Sequence, residues 1–236
     1  MTPDDEGRLT ELLAGTGPLL LDFDGPVCSI FAGYPAPQVA EELRNVLTGR
    51  GAAVVDTIAT EPDPLEVLRW TGQLGDLELT RAVEDALCAA ELRAAQSAEP
   101  TPYAREVIVS AREAGKPVAV VSNNSVDAVR AYLELHRLAV HVAAVVGRAH
   151  AQPELMKPNP EPIRRVVSAL GVEPEDCVLL GDSLADIAGS QAAKVKVVAY
   201  ANRPAKAEPF SAAKPDAVVT SMSEIATCLG HLKQQG

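Results

Sequence analysis

The chain has 236 residues, of which 47% are hydrophobic and 3% aromatic, and its formal net charge is −11 at pH 7. The hydrophobic fraction predicts a folded core built from Ala, Val and Leu, and it excludes an intrinsically disordered chain. Lys and Arg form no basic stripe, so we expect no nucleic-acid partner, because phosphate neutralisation needs such a footprint.

The cysteines and the N-terminal sequence bear on the cellular compartment. The four cysteines are far apart and form no CxxC pair, which is typical of free thiols in a reducing cytosol. The acidic N-terminus has no long apolar stretch, so we expect no signal peptide, and no apolar run reaches membrane-spanning length. The sequence therefore predicts a cytoplasmic protein without a membrane partner.

Short apolar runs rich in β-forming residues recur along the chain and predict strands. In chain order these runs are residues 19–23, 118–122, 143–146, 178–180, 195–200 and 217–219. Helical spacing is found in segments between them and in the tail, at residues 103–114, 125–135, 163–170 and 222–236. Alternation of this kind predicts an α/β fold with a parallel sheet that is covered by helices on both faces.

One region, between about residues 35 and 99, breaks the alternation. It contains helical patterns and one short, ambiguous apolar run at residues 52–58, and residues 77–96 predict a single long helix. We interpret the region as a helical insertion after the first strand. The chain would then consist of a core, residues 1–34 and 100–236, and a cap, residues 35–99.

Polar side chains follow four of the predicted strands at the points where the strands end. They are Asp22 and Asp24, Ser122 and Asn123, Lys157, and Asp182 and Asp186. Because the carboxyl ends of parallel strands meet at one edge of a sheet, we expect these side chains to converge on one ligand site. The first two carboxylates lie on one face of an extended chain, and a hard cation would neutralise them.

Each of these clusters also has a structural interpretation. The first acidic pair would suit a turn before a glycine, and the Ser-Asn pair would suit a helix cap. A lone lysine is usually solvated, and the second acidic pair would suit a helix N-terminus. The joint occurrence of complementary groups at four strand ends favours the functional interpretation, although for Asp186 both interpretations stay open.

The sequences DFDGPV, VVSNN, KPNP and GDSLAD resemble, in order and in context, motifs one to four of the haloacid dehalogenase (HAD) superfamily. The helical insertion is similar in position to the cap of the branch that contains phosphoglycolate phosphatase and β-phosphoglucomutase. The resemblance implies a Rossmann-like core with a small α-helical cap. It also implies a Mg²⁺-dependent phosphatase whose substrate is a small phosphorylated metabolite.

The acidic residues have separate roles in this resemblance. Asp22 would be the nucleophile that takes the phosphoryl group as an aspartyl-phosphate. Asp24 would protonate the leaving alkoxide and then activate the water that cleaves the intermediate. Mg²⁺ would be held by Asp22, Asp182 and the backbone carbonyl of Asp24.

The remaining motif residues would hold the phosphate and the catalytic groups. Ser122 would donate a hydrogen bond to the transferring phosphate, with Asn123 beside it in the substrate site, and Lys157 would add a fixed positive charge. Asp186 would orient Lys157 or a water of the metal's hydration shell, rather than bind the metal directly.

Two features of the sequence favour a phosphate ester as the substrate. Dehalogenases of the superfamily lack the second aspartate of motif one, which is present here as Asp24. Phosphonate-cleaving members use a cap lysine, and this chain has no lysine between Asp22 and Gly115. One departure from the pattern is Pro26, where the family usually has Thr or Val, so the turn into the cap would be stiffer.

The cap and its linker would determine which substrate is bound. The candidate residues are Phe31, Tyr34, Arg69 and Trp70, of which Arg69 could pair with an anionic group of the substrate. Alternatively, Phe31 and Trp70 simply pack the cap against the core.

Three alternatives to a small-molecule phosphatase stay open at this stage. A phosphomutase of the β-phosphoglucomutase type would use the same core, but the cap has few basic residues for a second phosphate subsite. A non-catalytic binding or regulatory protein could keep the fold, although it would be expected to lose motif residues that are present here. The acidic surface neither supports nor excludes a protein-directed phosphatase.

We expect a monomer or a homodimer.

Overall fold

The computed structural model describes residues 3–233 and contains the following elements. Its strands are β1 (Leu19–Leu21), β2 (Cys28–Ser29), β3 (Glu99–Pro100), β4 (Val118–Val121), β5 (Ala144–Val146), β6 (Val178–Gly181), β7 (Lys196–Tyr200) and β8 (Ala217–Val219). Its α-helices are α1 (Pro3–Ala14), α2 (Ala36–Gly49), α3 (Asp56–Ala59), α4 (Pro64–Gln73), α5 (Leu77–Ala94), α6 (Ala104–Glu113), α7 (Val126–Leu135), α8 (Glu161–Leu170), α9 (Leu184–Ala193), α10 (Ala207–Ala212) and α11 (Met222–Lys233). Short 3₁₀ helices lie at Ala139–His141, Pro153–Leu155, Pro174–Asp176 and Pro204–Lys206.

Six of the strands form one parallel sheet in the order β5-β4-β1-β6-β7-β8, which confirms the predicted α/β class and its Rossmann-like core. Strand β1 lies between β4 and β6, and its last residue, Leu21, is in register with Val120 and Leu180. The carboxyl ends of these three strands are therefore level. The chain continues from β1 to one side of the sheet and later returns to the other, so a switch point lies at the end of β1.

Alternate residues of the strands pack into two apolar layers. Leu19 and Leu21 belong to one buried cluster, together with residues of α1, α6, α7 and α11. Leu20 belongs to a second cluster with residues of α8 and α9. Side chains of a strand point to opposite faces in turn, so both faces of the sheet are covered, as predicted.

The helices of the inserted region share an apolar cluster of their own. Helices α2, α4 and α5 contribute most of its buried residues, and Met156 from the segment before α8 is buried in it as well. The region is joined to the rest by the antiparallel pair of β2 and β3. The division into a core of residues 1–34 and 100–236 and a cap of residues 35–99 stays a prediction, and residues 1, 2 and 234–236 lie outside the described part.

The predicted strands and helices agree with the structure to within a few residues, but several elements were not predicted. Helix α10 lies in no predicted segment, and helix α9 was indicated only by the acidic pair at its start. Helix α1 and the two-residue strands β2 and β3 had no clear sequence signal, and the ambiguous run at residues 52–58 overlaps the short helix α3. The terminal helix is described as far as Lys233. Among the described helices, none combines the length and the apolar character that crossing a bilayer requires.

Candidate active site

The end of β1 places Asp22 at the level of its neighbouring strands. Its backbone N–H donates to the carbonyl of Leu180 at 2.9 Å, which extends the β1–β6 ladder by one residue. The chain then turns at Gly25, which has φ +110°. A Cβ atom at this glycine would lie 2.3 Å from Cγ of Asp182, so only glycine allows the turn to pass so close to that carboxylate.

Lys157 lies at the centre of the cluster and is 2% exposed. Its ammonium donates to Oδ1 of Asp22 at 2.8 Å, to Oδ1 of Asp186 at 2.6 Å and to the carbonyl of Val121 at 3.0 Å. Burial opposes the charged form, but the carboxylates of Asp186 and Asp22 outweigh it and raise the pKa of Lys157 above its usual value. All three N–H groups have acceptors, so Lys157 is a fixed positive charge.

The nucleophile candidate, Asp22, is buried against three charged neighbours. Burial raises its pKa well above the ordinary value and Asp186 adds to the rise, whereas Lys157 opposes it. Oδ1 accepts from Lys157, and among the described residues no donor bonds to Oδ2. One oxygen of Asp22 is therefore available to a ligand.

Asp182 follows β6 and is held by two residues that come after β7. The ammonium of Lys206 donates to Oδ2 of Asp182 at 2.6 Å and to its backbone carbonyl at 2.7 Å. The side-chain amide of Asn202 donates to the same Oδ2 at 3.0 Å. Within residues 3–233, Oδ1 of Asp182 has no donor, so it too can face a ligand.

Asp186 combines the two roles that the sequence left open. It is the third residue of α9 and forms a capping box with Ser183, whose hydroxyl and backbone N–H both donate to Oδ2 of Asp186. Its Oδ1 accepts from Lys157. Because both oxygens already accept hydrogen bonds, Asp186 is better suited to orient Lys157 than to bind a metal.

Asp24 faces the cavity and is the most exposed acid of the cluster. Its Oδ1 accepts from the backbone N–H of Ile30 at 3.0 Å, which fixes the side chain. Restricted hydration raises the pKa of Asp24 to about 6. Asp24 is nevertheless exposed to the open cavity, where water screens part of that effect.

The loop after β4 carries Ser122 and Asn123. The hydroxyl of Ser122 donates to the side chain of Asn124 and accepts from its backbone N–H at 3.0 Å. The side chain of Asn123 makes a reciprocal pair with the backbone of Lys157, with distances of 2.8 Å and 3.1 Å. Asn123 lines the cavity, and its side chain also holds the loop that carries Lys157, so its role in substrate binding stays a prediction.

A cavity of about 820 Å³ is lined by all the predicted catalytic and metal-binding residues. The inserted region contributes Pro37, Asp63, Leu65, Glu66 and Arg69 to its wall, and the segment after β7 contributes Arg203. The four clusters thus converge on one site, as expected.

The structure separates the four specificity candidates. Phe31 and Arg69 line the cavity, but Tyr34 and Trp70 do not. Arg69 donates to the backbone carbonyl of Lys157 at 2.6 Å and pairs with Glu66 at 3.1 Å, so it ties α4 to the core. Trp70 packs at the edge of the apolar cluster of the inserted helices.

The acidic cluster fits a hard divalent cation. Carboxylate oxygens of Asp22, Asp182 and Asp186 lie within 4.8 Å of one another. These three carboxylates contact two ammonium groups, those of Lys157 and Lys206, which leaves an excess of negative charge. An oxygen-only donor set with free oxygens on Asp22 and Asp182 suits such an ion.

Sequence reasoning missed the residues that follow β7. Asn202, Arg203 and Lys206 lie beyond the carboxyl end of a further parallel strand, and they contact Asp182 or line the cavity. The rule that pointed to the other four strand ends applies equally here and was the signal that could have found them.

Comparison with known proteins decides the family. A family model described as haloacid dehalogenase-like hydrolase matches residues 19–194. The chain belongs to this family. The matched segment of this haloacid dehalogenase-like protein begins at β1 and ends just after α9, so it contains all four motifs.

Individual relatives of this haloacid dehalogenase-like chain are more distant. Phosphoglycolate phosphatase of Salmonella paratyphi A is 28% identical over 129 residues, which is 55% of this chain and 50% of that protein. Pyrophosphatase PpaX of Bacillus cereus is also 28% identical over 129 residues, or 59% of its length. The chain thus spans about half the length of the curated relatives it matches.

A crystal structure of a predicted phosphatase from Clostridium acetobutylicum is similar over 90% of this chain and 97% of that one. The TM-score is 0.69 and the sequence identity is 17%. At this identity, the similarity shows that the two chains share the fold.

Proposed function

We propose that the chain is a Mg²⁺-dependent phosphatase that hydrolyses a small phosphorylated metabolite through an aspartyl-phosphate on Asp22. The observation that carries the proposal is the contact of Lys157 with Asp22, beside Asp182, in a cavity that Asp24 and Ser122 also line. A carboxylate attacks a phosphate dianion only where positive charge offsets the repulsion. The relatives named as phosphatases agree with this chemistry.

The metal would be held by Asp22 and Asp182, each of which has an oxygen without a protein donor in the described part of the chain, together with the backbone carbonyl of Asp24. Bound there, Mg²⁺ would neutralise the excess negative charge of the acidic cluster and that of the substrate. Lys206 and Asn202 would keep the carboxylate of Asp182 turned so that one oxygen faces the ion.

In the first step, a carboxylate oxygen of Asp22 bonds to phosphorus while the bond from phosphorus to the ester oxygen breaks. Asp24, in its protonated form, gives its proton to the departing alkoxide. The hydroxyl of Ser122, which donates to the side chain of Asn124 in the structure, would turn to donate to an oxygen of the transferring group, and Lys157 supplies a fixed positive charge. The products are the alcohol and phosphorylated Asp22.

In the second step, Asp24 is a carboxylate and takes a proton from water as the water oxygen bonds to phosphorus. The bond between phosphorus and Asp22 breaks, which releases inorganic phosphate and regenerates both aspartates. A pKa of about 6 supports both roles of Asp24, because a group that titrates near the working pH can donate and accept protons.

A phosphate ester is favoured over a halide or a phosphonate. Asp24 would protonate a leaving alkoxide, which a halide does not need. The chain has no lysine between Asp22 and Gly115, so the inserted helices offer no amine for a Schiff base. The chain is proposed to be a monomer or a homodimer. Which metabolite it hydrolyses is a question for the assay.

The experiment is phosphate release from a panel of esters, first with Mg²⁺ and then with EDTA. The panel includes phosphoglycolate, sugar phosphates and p-nitrophenyl phosphate, with the anhydride pyrophosphate beside them, and it is repeated with Asp22→Asn and with Asp85→Asn as a control. Asp85 is an exposed carboxylate that pairs with His150 away from the cavity. Metal-dependent release that only Asp22→Asn abolishes supports the proposal. The absence of release from every ester contradicts it.

A further inference from the structure

A second buried ionic cluster lies outside the acidic cluster of the cavity and joins α5 to the core. Arg148, which follows β5, pairs with Glu84 at 2.8 Å and with Glu91 at 2.9 Å. The side chains of Arg148 and Glu91 are 0% exposed and that of Glu84 is 1% exposed. None of the chemistry described above uses these three residues.

The hydrogen bonds of Arg148 are completely satisfied. Nε donates to Glu84 at 2.9 Å, Nη1 donates to Glu91 at 2.9 Å and to the backbone carbonyl of Asn123 at 2.6 Å. Nη2 donates to Oε2 of Glu91 at 3.3 Å and to Sγ of Cys88 at 3.7 Å, and it lies 2.8 Å from a carboxylate oxygen of Glu84. A planar guanidinium provides these five N–H groups in one fork, which a lysine does not.

Glu91 extends the network into the loop that carries Ser122. Its Oε2 accepts from the backbone N–H of Ser125 at 2.8 Å, and its Oε1 accepts from the side chain of Asn124 at 3.1 Å. Ser125 is the N-cap residue of α7, yet its own side chain makes no capping hydrogen bond. A carboxylate from α5 therefore occupies the N-terminus of α7, where negative charge is favourable.

Three successive residues, Asn123, Asn124 and Ser125, are thus each bonded to Arg148 or Glu91. They lie between Ser122, which faces the phosphate site, and α7. The side-chain amide of Asn123 in turn bonds to both the backbone N–H and the backbone carbonyl of Lys157. The contacts form a continuous path from α5 to the two groups that hold the transferring phosphate.

Stability alone is a poor explanation for this cluster. Two carboxylates and one guanidinium that are removed from water cost free energy, and apolar residues of similar volume are often as stable in such a place. A fully satisfied polar network does, however, fix one geometry, because any displacement leaves a buried group unpaired.

We propose that Arg148 and Glu91 are positioning residues that hold the loop of residues 122–125 in its phosphate-binding conformation. This inference rests on the proposed function, since it assigns the loop to a phosphoryl site. Helix α5 is then a rigid support of the site, and the described hydrogen bonds of Glu84 reach Arg148 and Cys88 but not the loop.

Glu84 and Glu91 allow a matched test. Both lie on α5, both are buried and both bond to Arg148, but only Glu91 bonds to residues 124 and 125. The variants Glu91→Gln and Glu84→Gln remove the same charge from the same network. A third variant, Arg148→Lys, keeps a cation between the carboxylates but loses the planar guanidinium. It replaces Glu91→Gln in the test if that variant does not fold.

Two readouts separate positioning from a general loss of stability. The first is the affinity for inorganic phosphate with Mg²⁺, measured by calorimetry, together with KM and kcat. The second is hydrogen exchange of the backbone in residues 122–126, with the temperature of unfolding measured for each variant. We expect Glu91→Gln and Arg148→Lys to weaken phosphate binding about tenfold and to speed exchange in this loop. Glu84→Gln should change phosphate affinity by less than about threefold and leave the exchange of the loop unchanged.

Equal effects of the two glutamine variants on phosphate affinity and loop exchange would overturn the inference, as would wild-type affinity in Arg148→Lys. A wild-type protein that hydrolyses no ester would instead overturn the proposed function. The exchange comparison would then still decide whether Glu91 and Arg148 position the loop.

Discussion

The ammonium nitrogen of Lys157 lies 2.8 Å from Oδ1 of Asp22, although 135 positions separate the two residues in the chain. The carbonyl of Val121 and the carboxylate of Asp186 complete the bonding of the ammonium. The relationship requires that β1, β4 and β6 end at the same level, because each strand delivers one of the groups that surround Lys157. The fold thus holds the proposed nucleophile and a positive charge together.

Replacement of Asp24 should slow turnover and make the intermediate accumulate. Asp24→Asn keeps an acceptor for Ile30 but removes the acid and base, so kcat should fall by about 10²–10⁴-fold. With p-nitrophenyl phosphate, whose leaving group needs no proton, the first step should stay fast. Stopped-flow absorbance should then show a burst of about one p-nitrophenolate per active site, estimated from this mechanism. A slow linear release without a burst would show that the first step is also slowed, which contradicts this prediction.

Removal of the metal should lower the temperature of unfolding in a way that depends on Asp182. A ligand that binds only the folded state stabilises it, so Mg²⁺ at about 100 times Kd should raise Tm by roughly 5–10 °C over EDTA. We expect Asp182→Asn to abolish this difference, as measured by scanning calorimetry.

Glu66→Gln is the control for this experiment, since Glu66 lines the same cavity but lies outside the acidic cluster. Its metal-dependent shift should equal that of the wild type. A full shift in Asp182→Asn would contradict the assigned ligand set.

A methyl group at Gly25 should damage the site through Asp182. In Gly25→Ala, the new Cβ would meet the Asp182 carboxylate at 2.3–2.7 Å, so the carboxylate must move and the affinity for Mg²⁺ should fall at least about tenfold. Gly115→Ala is the control: Gly115 also has positive φ, but nothing lies within 4 Å of its Cβ position. It should lose about 1–2 kcal/mol of stability and keep its metal affinity. Titration calorimetry measures both, and equal metal affinities would remove Gly25 from the site.

Truncation of Arg69 should weaken substrate binding more than catalysis. Arg69 lines the cavity and bonds to the carbonyl of Lys157, so Arg69→Ala removes both a wall charge and the tie between α4 and the core. We expect KM to rise about tenfold with kcat nearly unchanged. Arg81→Ala, which removes an exposed arginine paired with Glu78 on α5, should leave both constants unchanged. A fall in kcat alone would show that Arg69 acts on the chemical step.

The strands and the convergence of the motifs could be predicted because both follow from local pattern. Apolar runs that end in Asp22 or Asp182 identify strand ends, and parallel topology then brings the ends together. The roles of Asp186 could not be separated from sequence, because a capping residue and an orienting residue need the same position at a helix start. In the structure, Oδ1 of Asp186 accepts a hydrogen bond from Lys157, and Oδ2 accepts the capping hydrogen bond from Ser183.

The buried cluster of Arg148 could not be predicted from charge alone, since most arginines are exposed. A signal was nevertheless present in α5. Glu84 and Glu91 are seven residues apart, and they share a helical face with the buried Leu87 and Ala94. Acidic residues within an apolar helical face indicate a buried ion pair, but the sequence does not identify the basic residue that completes it.

The most direct test of the account is to identify the residue that carries the phosphoryl group during turnover. Asp24→Asn is mixed with p-nitrophenyl phosphate and Mg²⁺, quenched with acid after the burst, and digested for mass spectrometry. The account predicts one phosphoryl group on the peptide that contains Asp22, located at Asp22, and none when Asp22→Asn is added to the variant. Phosphate release by the wild type with an unmodified Asp22 peptide, or a phosphoryl group on another residue, would contradict it.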